Sequence, residues 1–265
     1  MKKIWKYGGV FACTAIAVTA FALSFKDEAA SAPPQTNTAT LAETPIPDTS
    51  FQEAPTAERY LPSKDIPVWL PDSILMDVPL FNQMAAPRLY NGCEVTSLAM
   101  ILTFKGIEVT KNELAKSIER VPLNYRNGKK GNPNAGFVGD MENGPGLGVY
   151  HEPIFDLAKK YAGDRAENLT GQSFDMVIEK LADGSPVWVI INTIYAPLGK
   201  GNFATWDTPD GPVDITFKMH SVAITGYDET HIYVNDPYGT KNLKVDRQNF
   251  IKAWEQLGSQ AITIN

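Results

Sequence analysis

The sequence predicts an α+β domain, with helices first and antiparallel strands later. Three observations carry this. Apolar residues recur at helical spacing in several segments of the first two thirds, β-branched and alternating runs dominate from residue 186 onward, and a long Gly/Asn/Pro-rich stretch separates early helices from later ones.

The elements follow in order. "ILMDVPLFN" (74–82) predicts a short strand that enters a loop at 83–92. From Cys93 to Phe104 a helix is expected, with Val95, Leu98, Ala99, Ile101 and Leu102 as its apolar face. "TKNELAKSIERV" predicts a second helix, with Thr110 as N-cap and Glu113 closing a capping box. Residues 122–150 predict a long loop, a feature that in a compact domain is usually functional. Its "GPGLG" lacks a preceding strand and a phosphate-binding lysine, so it reads as loop as well. "EPIFDLAKKYA" and "SFDMVIEKLADG" are amphipathic helices, the second stopped by Gly184. "PVWVIINTIY" predicts a buried strand, and 196–211 a second loop. "KMHSVAITGYD" and "HIYVNDPYG" predict two hairpin strands, followed by a helix in "DRQNFIKAWEQLG" and a closing strand in "QAITIN".

Composition excludes several function classes. A net charge of −6 over 265 residues, with no basic run, leaves no footprint for nucleic acid. The three histidines, His151, His220 and His231, are scattered and the body of the chain has no cysteine pair, so neither a metal site nor a cofactor is expected.

The N-terminus predicts export. Lys2, Lys3 and Lys6 precede an uncharged run from Gly8 to Phe25, the pattern of a signal peptide, with Ala20-Phe21-Ala22 or Ala30-Ser31-Ala32 as cleavage sites. An uncleaved anchor is the alternative, the chain's one expected contact with a membrane. Residues 1–30 are therefore assigned to the leader or anchor. Residues 31–66, rich in Pro, Thr and Ala, form a disordered spacer, and residues 67–265 form one folded domain, expected to be a monomer. Cleavage would leave Cys93 as the sole cysteine of an exported protein. A thiol in that position is a crosslink, a packed residue or a reactive group.

Cys93 follows an Asn91-Gly92 turn and opens a helix, where unpaired N–H groups and the macrodipole are expected to lower a thiol's pKa. A buried, inert thiol is the competing reading. A catalytic thiol needs a base, and strand parity selects one. His220 shares a face with Val222 and Ile224, and Asp236 shares one with Ile232 and Val234. A three-residue loop, Tyr227 to Glu229, would pair Gly226 with Thr230 and set His220 directly opposite Asp236. Such a carboxylate fixes the imidazole tautomer and leaves the other ring nitrogen for the thiol. His231 is expected on the solvent side with nothing acidic opposite, and His151 as a helix cap or cleft-lining residue. The Cys93 N–H can donate to an oxyanion, and Gln83, with Asn82 as its neighbour, is the side-chain candidate. Glu94 is expected to shape the cleft entrance or cap the helix. Tyr150 and Trp206 are candidate groove walls.

"NQ…YNGCEVTSLAMIL", "GVYHEPI" and "HSVAITGYD…IYVNDPYG" together resemble the bacterial papain-like cysteine peptidases related to bacteriocin-processing (double-glycine leader) peptidases. The closer likeness is to their secreted stand-alone branch in Gram-positive bacteria. The resemblance spans roughly 75–265. It implies a papain-like fold, with the nucleophile's helix packed on a mostly antiparallel sheet. It also implies Cys93 as nucleophile, His220 as general base, Asp236 as orienter and Gln83 as oxyanion donor. The expected substrate is a peptide or cell-wall peptide. The same residues would serve a transpeptidase, isopeptidase or cell-wall amidase. A catalytically idle surface-binding module is the reading that the intact set argues against.

Overall fold

The computed structural model describes residues 58–62 and 67–265. The expected leader or anchor and most of the spacer lie outside the described residues. No helix among the described residues is long and apolar enough to cross a membrane.

The strands are β1 (Glu58–Pro62), β2 (Pro67–Pro71), β3 (Ile74–Leu75), β4 (Arg120–Val121), β5 (Phe137–Gly139), β6 (Gly146–Gly148), β7 (Ala166–Asn168), β8 (Val187–Asn192), β9 (Ala204–Thr208), β10 (Gly211–Ile215), β11 (Met219–Tyr227), β12 (His231–Asp236), β13 (Thr240–Asp246) and β14 (Ala261–Ile264). The helices are α1 (Cys93–Phe104), α2 (Lys111–Ser117), α3 (His151–Ala162), α4 (Phe174–Ala182) and α5 (Arg247–Gln256). Strand β1 falls inside the expected spacer and pairs antiparallel with β2.

The main sheet runs β13-β12-β11-β8-β14-β7, with β3 added to β11. Its pairs are antiparallel throughout. Side-chain alternation splits its residues between two cores. Trp188, Ile190, Ala223, Ile262 and Ile264 face α1, α2 and α3. Val187, Val189, Ile191, Val222 and Ile224 face α4 and α5. Covering both faces explains why β8 is apolar without alternation from Val187 to Ile191. Helix α1 lies against β11 and β8. Its residues Cys93–Leu102 are all buried, so the single apolar face expected of it is too narrow: this is an enclosed central helix.

Several boundaries differ from expectation, each for a local reason. The Thr110 capping box is present, but α2 ends at Ser117 because Ile118 turns extended and leads into β4. The loop 122–150 contains β5 and β6, which form a small sheet with β4, so "GPGLG" is partly strand. The loop 196–211 likewise contains β9 and the first residue of hairpin strand β10. Strand β13 was not expected. It is an edge strand whose Lys241, Lys244 and Asp246 hide its alternation, the composition that keeps edges from pairing with other chains.

The β11–β12 hairpin corrects the expected register. Tyr227 pairs with Ile232, and Asp228 N–H donates to His231 O, leaving a two-residue turn. On its own that turn would put His220 and Asp236 on opposite faces. A bulge between Ile224 and Gly226 inserts one residue and restores the parity. Gly226 is required beside it, because a side chain there would collide with the backbone of Ile74 in β3.

Candidate active site

The turn before α1 is tied down from the side. Asn91 Nδ2 donates to Asp140 O at 2.9 Å and Asn91 N–H to Met141 O at 2.9 Å. Gly92 has to be glycine, since a Cβ would strike Leu89. Thr96 satisfies Gly92 O through both its N–H and its hydroxyl. Cys93 is therefore held as the first residue of a rigid helix.

The expected depression of the thiol's pKa is not what this environment produces. Burial, and then the negative charge of Glu94 beside it, push the Cys93 thiol well above its ordinary value, against smaller lowering from backbone hydrogen bonds. Glu94 does not sit at the cleft entrance either. It is fully buried, and its Oε1 accepts from Val149 N–H at 3.1 Å.

On β11, His220 Nε2 lies 3.1 Å from Asp236 Oδ1, with the imidazole 3% and the carboxylate 14% exposed. The extra residue of the bulge places them on one face but diagonally rather than directly opposite. Asp236 is itself fixed. Tyr195 OH donates to Oδ2 at 2.6 Å, and Tyr238 N–H donates to Oδ1 at 2.8 Å. Burial acts to raise this carboxyl, but the His220 ring, the Tyr195 hydroxyl and the Tyr238 N–H prevail and hold it below the ordinary value. With Nε2 facing the carboxylate, Nδ1 is the nitrogen left for chemistry. The Tyr238 ring stacks on the imidazole (5.4 Å between centroids, 23°), and the Tyr195 ring meets it edge-on at 6.4 Å.

Tyr195 and Tyr238 were not singled out by sequence reasoning. Tyr195 sits just past β8 with φ of 54°, a left-handed conformation unusual for a tyrosine, and its ring stacks on Phe250. No local pattern announces that. Tyr238 belonged to the "NDPYG" turn, where position two after a key aspartate was the available signal.

A cleft of about 140 Å³ joins these groups, lined by Gln83, Cys93, Gly146, Phe217, His220 and Tyr238 among others. Gln83 thus lines the cleft. Its Nε2 rests on Tyr90 O at 3.0 Å and Leu89 O at 3.3 Å, so an N–H given to an oxyanion must leave one of these carbonyls. Among the described residues, the buried side-chain N and O atoms without a partner are Gln83 Oε1, Glu94 Oε2 and Ser221 Oγ. All three belong to cleft residues or their immediate neighbours in the chain, which marks the region as built for something other than stability.

The remaining expected residues lie elsewhere. His231 is at the far end of the hairpin, with its ring 3.1 Å from Asp228, so it does have an acidic partner. His151 opens α3 and with Tyr150 lines a separate cavity of about 360 Å³. Trp206 reaches the cleft only through Phe217, which packs against it at 6.0 Å. No group of three or more His, Cys, Asp or Glu among the described residues is arranged to hold a metal ion.

A thiol heading a central helix, facing an antiparallel sheet that presents an imidazole and its carboxylate, is the arrangement of papain-like cysteine peptidases, and this chain has that fold. More narrowly, it belongs to the Peptidase_C39 like family, matched over residues 75–262. It is 59% identical over 189 residues to the uncharacterized protein YvpB of Bacillus subtilis, covering 71% of this chain and 75% of that one. A crystal structure of a candidate C39-like peptidase from Bacillus anthracis superposes with a TM-score of 0.70 at 43% identity, over 73% of this chain and 97% of the other.

Proposed function

We propose that the protein is a cysteine peptidase that hydrolyses peptide or peptide-like amide bonds, with Cys93 as nucleophile, His220 as general base and Asp236 as orienter. The observation that carries this reading is the pairing of the buried His220 ring with Asp236 at 3.1 Å, opening onto the cleft that also holds Cys93. His220 Nδ1 takes the thiol proton, and Sγ attacks the substrate carbonyl. The Cys93 N–H, which has no helical carbonyl to bond in the first turn of α1, and Gln83 Nε2 serve the developing oxyanion. His220 then protonates the leaving amine, and water, activated by the same imidazole, releases the acyl group. Asp236 stays ionised and holds the ring through the Nε2 contact.

The N-terminal residues extend the reading to a secreted or membrane-tethered enzyme on the outer face of the cell, since the basic start and the run Gly8–Phe25 match an export signal. The test is incubation of the reduced full chain with a peptide library and with cell-wall fragments, beside Cys93→Ala. Peptide cleavage that vanishes in the variant is expected. Cleavage that survives Cys93→Ala, or none in the unmodified protein, refutes the reading.

A further inference from the structure

Beside the nucleophile lies a carboxyl for which the steps above have no use. Glu94 is fully buried. Its Oε1 has one hydrogen bond, from Val149 N–H, and its Oε2 has none. The walls of its site are closed: Trp188 Nε1 donates to the Glu94 carbonyl at 3.0 Å, and a side chain at Gly148 would collide with Glu94 Oε1 and the Met219 methyl. An ionised carboxylate buried with an empty lone-pair position is costly, whereas a carboxylic acid is not.

The titratable groups around it are few. They are the Cys93 thiol on its own helix, the His220 imidazole on β11, which shares the cleft with that thiol, and the Tyr238 phenol after β12, which feels the charges of both Cys93 and Glu94. Gly148, Val149, Trp188, Met219 and Ser221, from the other packed elements, bring no charge, and none of these neighbours is a Lys or Arg. Burial outweighs the hydrogen bonds from its own N–H, from Val149 N–H and from the Cys93 thiol, and pushes the Glu94 carboxyl up to about 7. Two acids in one dry site do not ionise together readily.

We propose that Glu94 is a positioning residue that governs the proton on Cys93. The ionised carboxylate keeps that proton on Sγ, and the neutral acid lets it pass to His220. This rests on Cys93 being the nucleophile. When Glu94 is ionised, the S–H bond stays intact and the site holds two negative charges, Asp236 behind the imidazole and Glu94 beside the thiol. When Glu94 takes a proton from solvent water, the S–H bond breaks and an N–H bond forms at His220 Nδ1. The resulting thiolate–imidazolium pair is flanked by Asp236 on the ring side. On the sulfur side, the Glu94 O–H is a donor placed next to the thiolate. The nucleophile is armed on the acid side of neutrality and silenced as pH rises through it.

Uncharged iodoacetamide tests this on the reduced, desalted full chain, with labelling of the Cys93 peptide read by mass spectrometry separately from the chain's other cysteine, Cys13, in the uncharged N-terminal run. The Cys93 labelling rate is expected to fall at least about fivefold between about pH 6 and about pH 8. Glu94→Gln keeps the acceptor for Val149 and should abolish the fall, labelling roughly tenfold faster than the unmodified protein at about pH 8. A rate that rises steadily with pH, or a folded variant that tracks the unmodified protein, overturns the proposal. Carbon-13 glutamate spectra of the unmodified protein supply a measurement independent of the variant's folding. One carboxyl should titrate well above the rest and move when Cys93 is S-methylated, and glutamates that all titrate in the ordinary range overturn the proposal as well. Neither readout uses a peptide. A protein that labels as expected yet cleaves nothing refutes the peptidase reading alone, and one that cleaves peptides with a flat labelling profile refutes this inference alone.

Discussion

Replacing Glu94 by Gln removes a titrating group from the core and leaves an oxygen to accept from Val149 N–H. The effect on stability can be worked from the fold. The carboxyl's ordinary value is 4.5, and burial raises it to about 7 in the folded protein. Between those values the folded state holds a proton that the unfolded chain has released. Stability therefore falls as pH rises through the window, and below it the group contributes no pH dependence. At about 1.4 kcal/mol per pH unit, the span corresponds to roughly 3 kcal/mol, fully developed by about pH 8. The assay is urea unfolding of the full chain and of Glu94→Gln at about pH 4, 6 and 8, followed by tryptophan fluorescence. The informative quantity is the difference between the two proteins at each pH, because every titrating group that does not feel Glu94 cancels. That difference should shift toward the variant by roughly 3 kcal/mol from the lowest to the highest pH. A difference constant to within about 0.5 kcal/mol would show that Glu94 ionises as easily in the fold as in water, and the reasoning would fail.

Two further outcomes follow from particular contacts. Tyr195→Phe deletes the 2.6 Å donor to Asp236 Oδ2 but keeps the ring on Phe250. A hydrogen bond to a charged group is worth about 1.5–3 kcal/mol, so kcat for peptide hydrolysis should drop roughly tenfold or more with KM little changed; equal kcat in the two proteins would show that Asp236 needs no such support. Gly148→Ala meets both a φ of +128° and a collision with Glu94 and Met219. A loss of roughly 2 kcal/mol or more in urea unfolding is expected, and an unchanged midpoint would show that this wall yields freely.

How much of the site was legible depended on whether the signal was local. Cys93 at a helix start and the cap of Thr110 on Glu113 are set by neighbours within one turn, and both helix starts were read correctly. His220 and Asp236 were joined by parity, which apolar alternation records, although the loop assumed for them was wrong. The patterning demanded one shared face, and the chain meets that demand with a two-residue turn and a bulge. Burial of α1 on all sides was not legible, because it depends on α3 and the sheet packing around the helix and on a distant partner for its polar Ser97. Ser97 Oγ, for example, is satisfied by Ser221 O, 124 positions away in the chain.

The sequence by itself determined the residue types able to do thiol chemistry, the faces on which they stand, and the α+β order of elements, because these depend on periodicities of two and 3.6 residues. It did not determine the charge state of the thiol. A helix N-terminus argues for a lowered pKa, and the tertiary structure reverses the direction by enclosing Cys93 with a buried carboxyl. Desolvation and the field of a neighbouring charge depend on everything packed within a few ångströms, including β6, β8 and β11, which lie 50 or more positions along the chain. Only the folded arrangement of those strands could decide it.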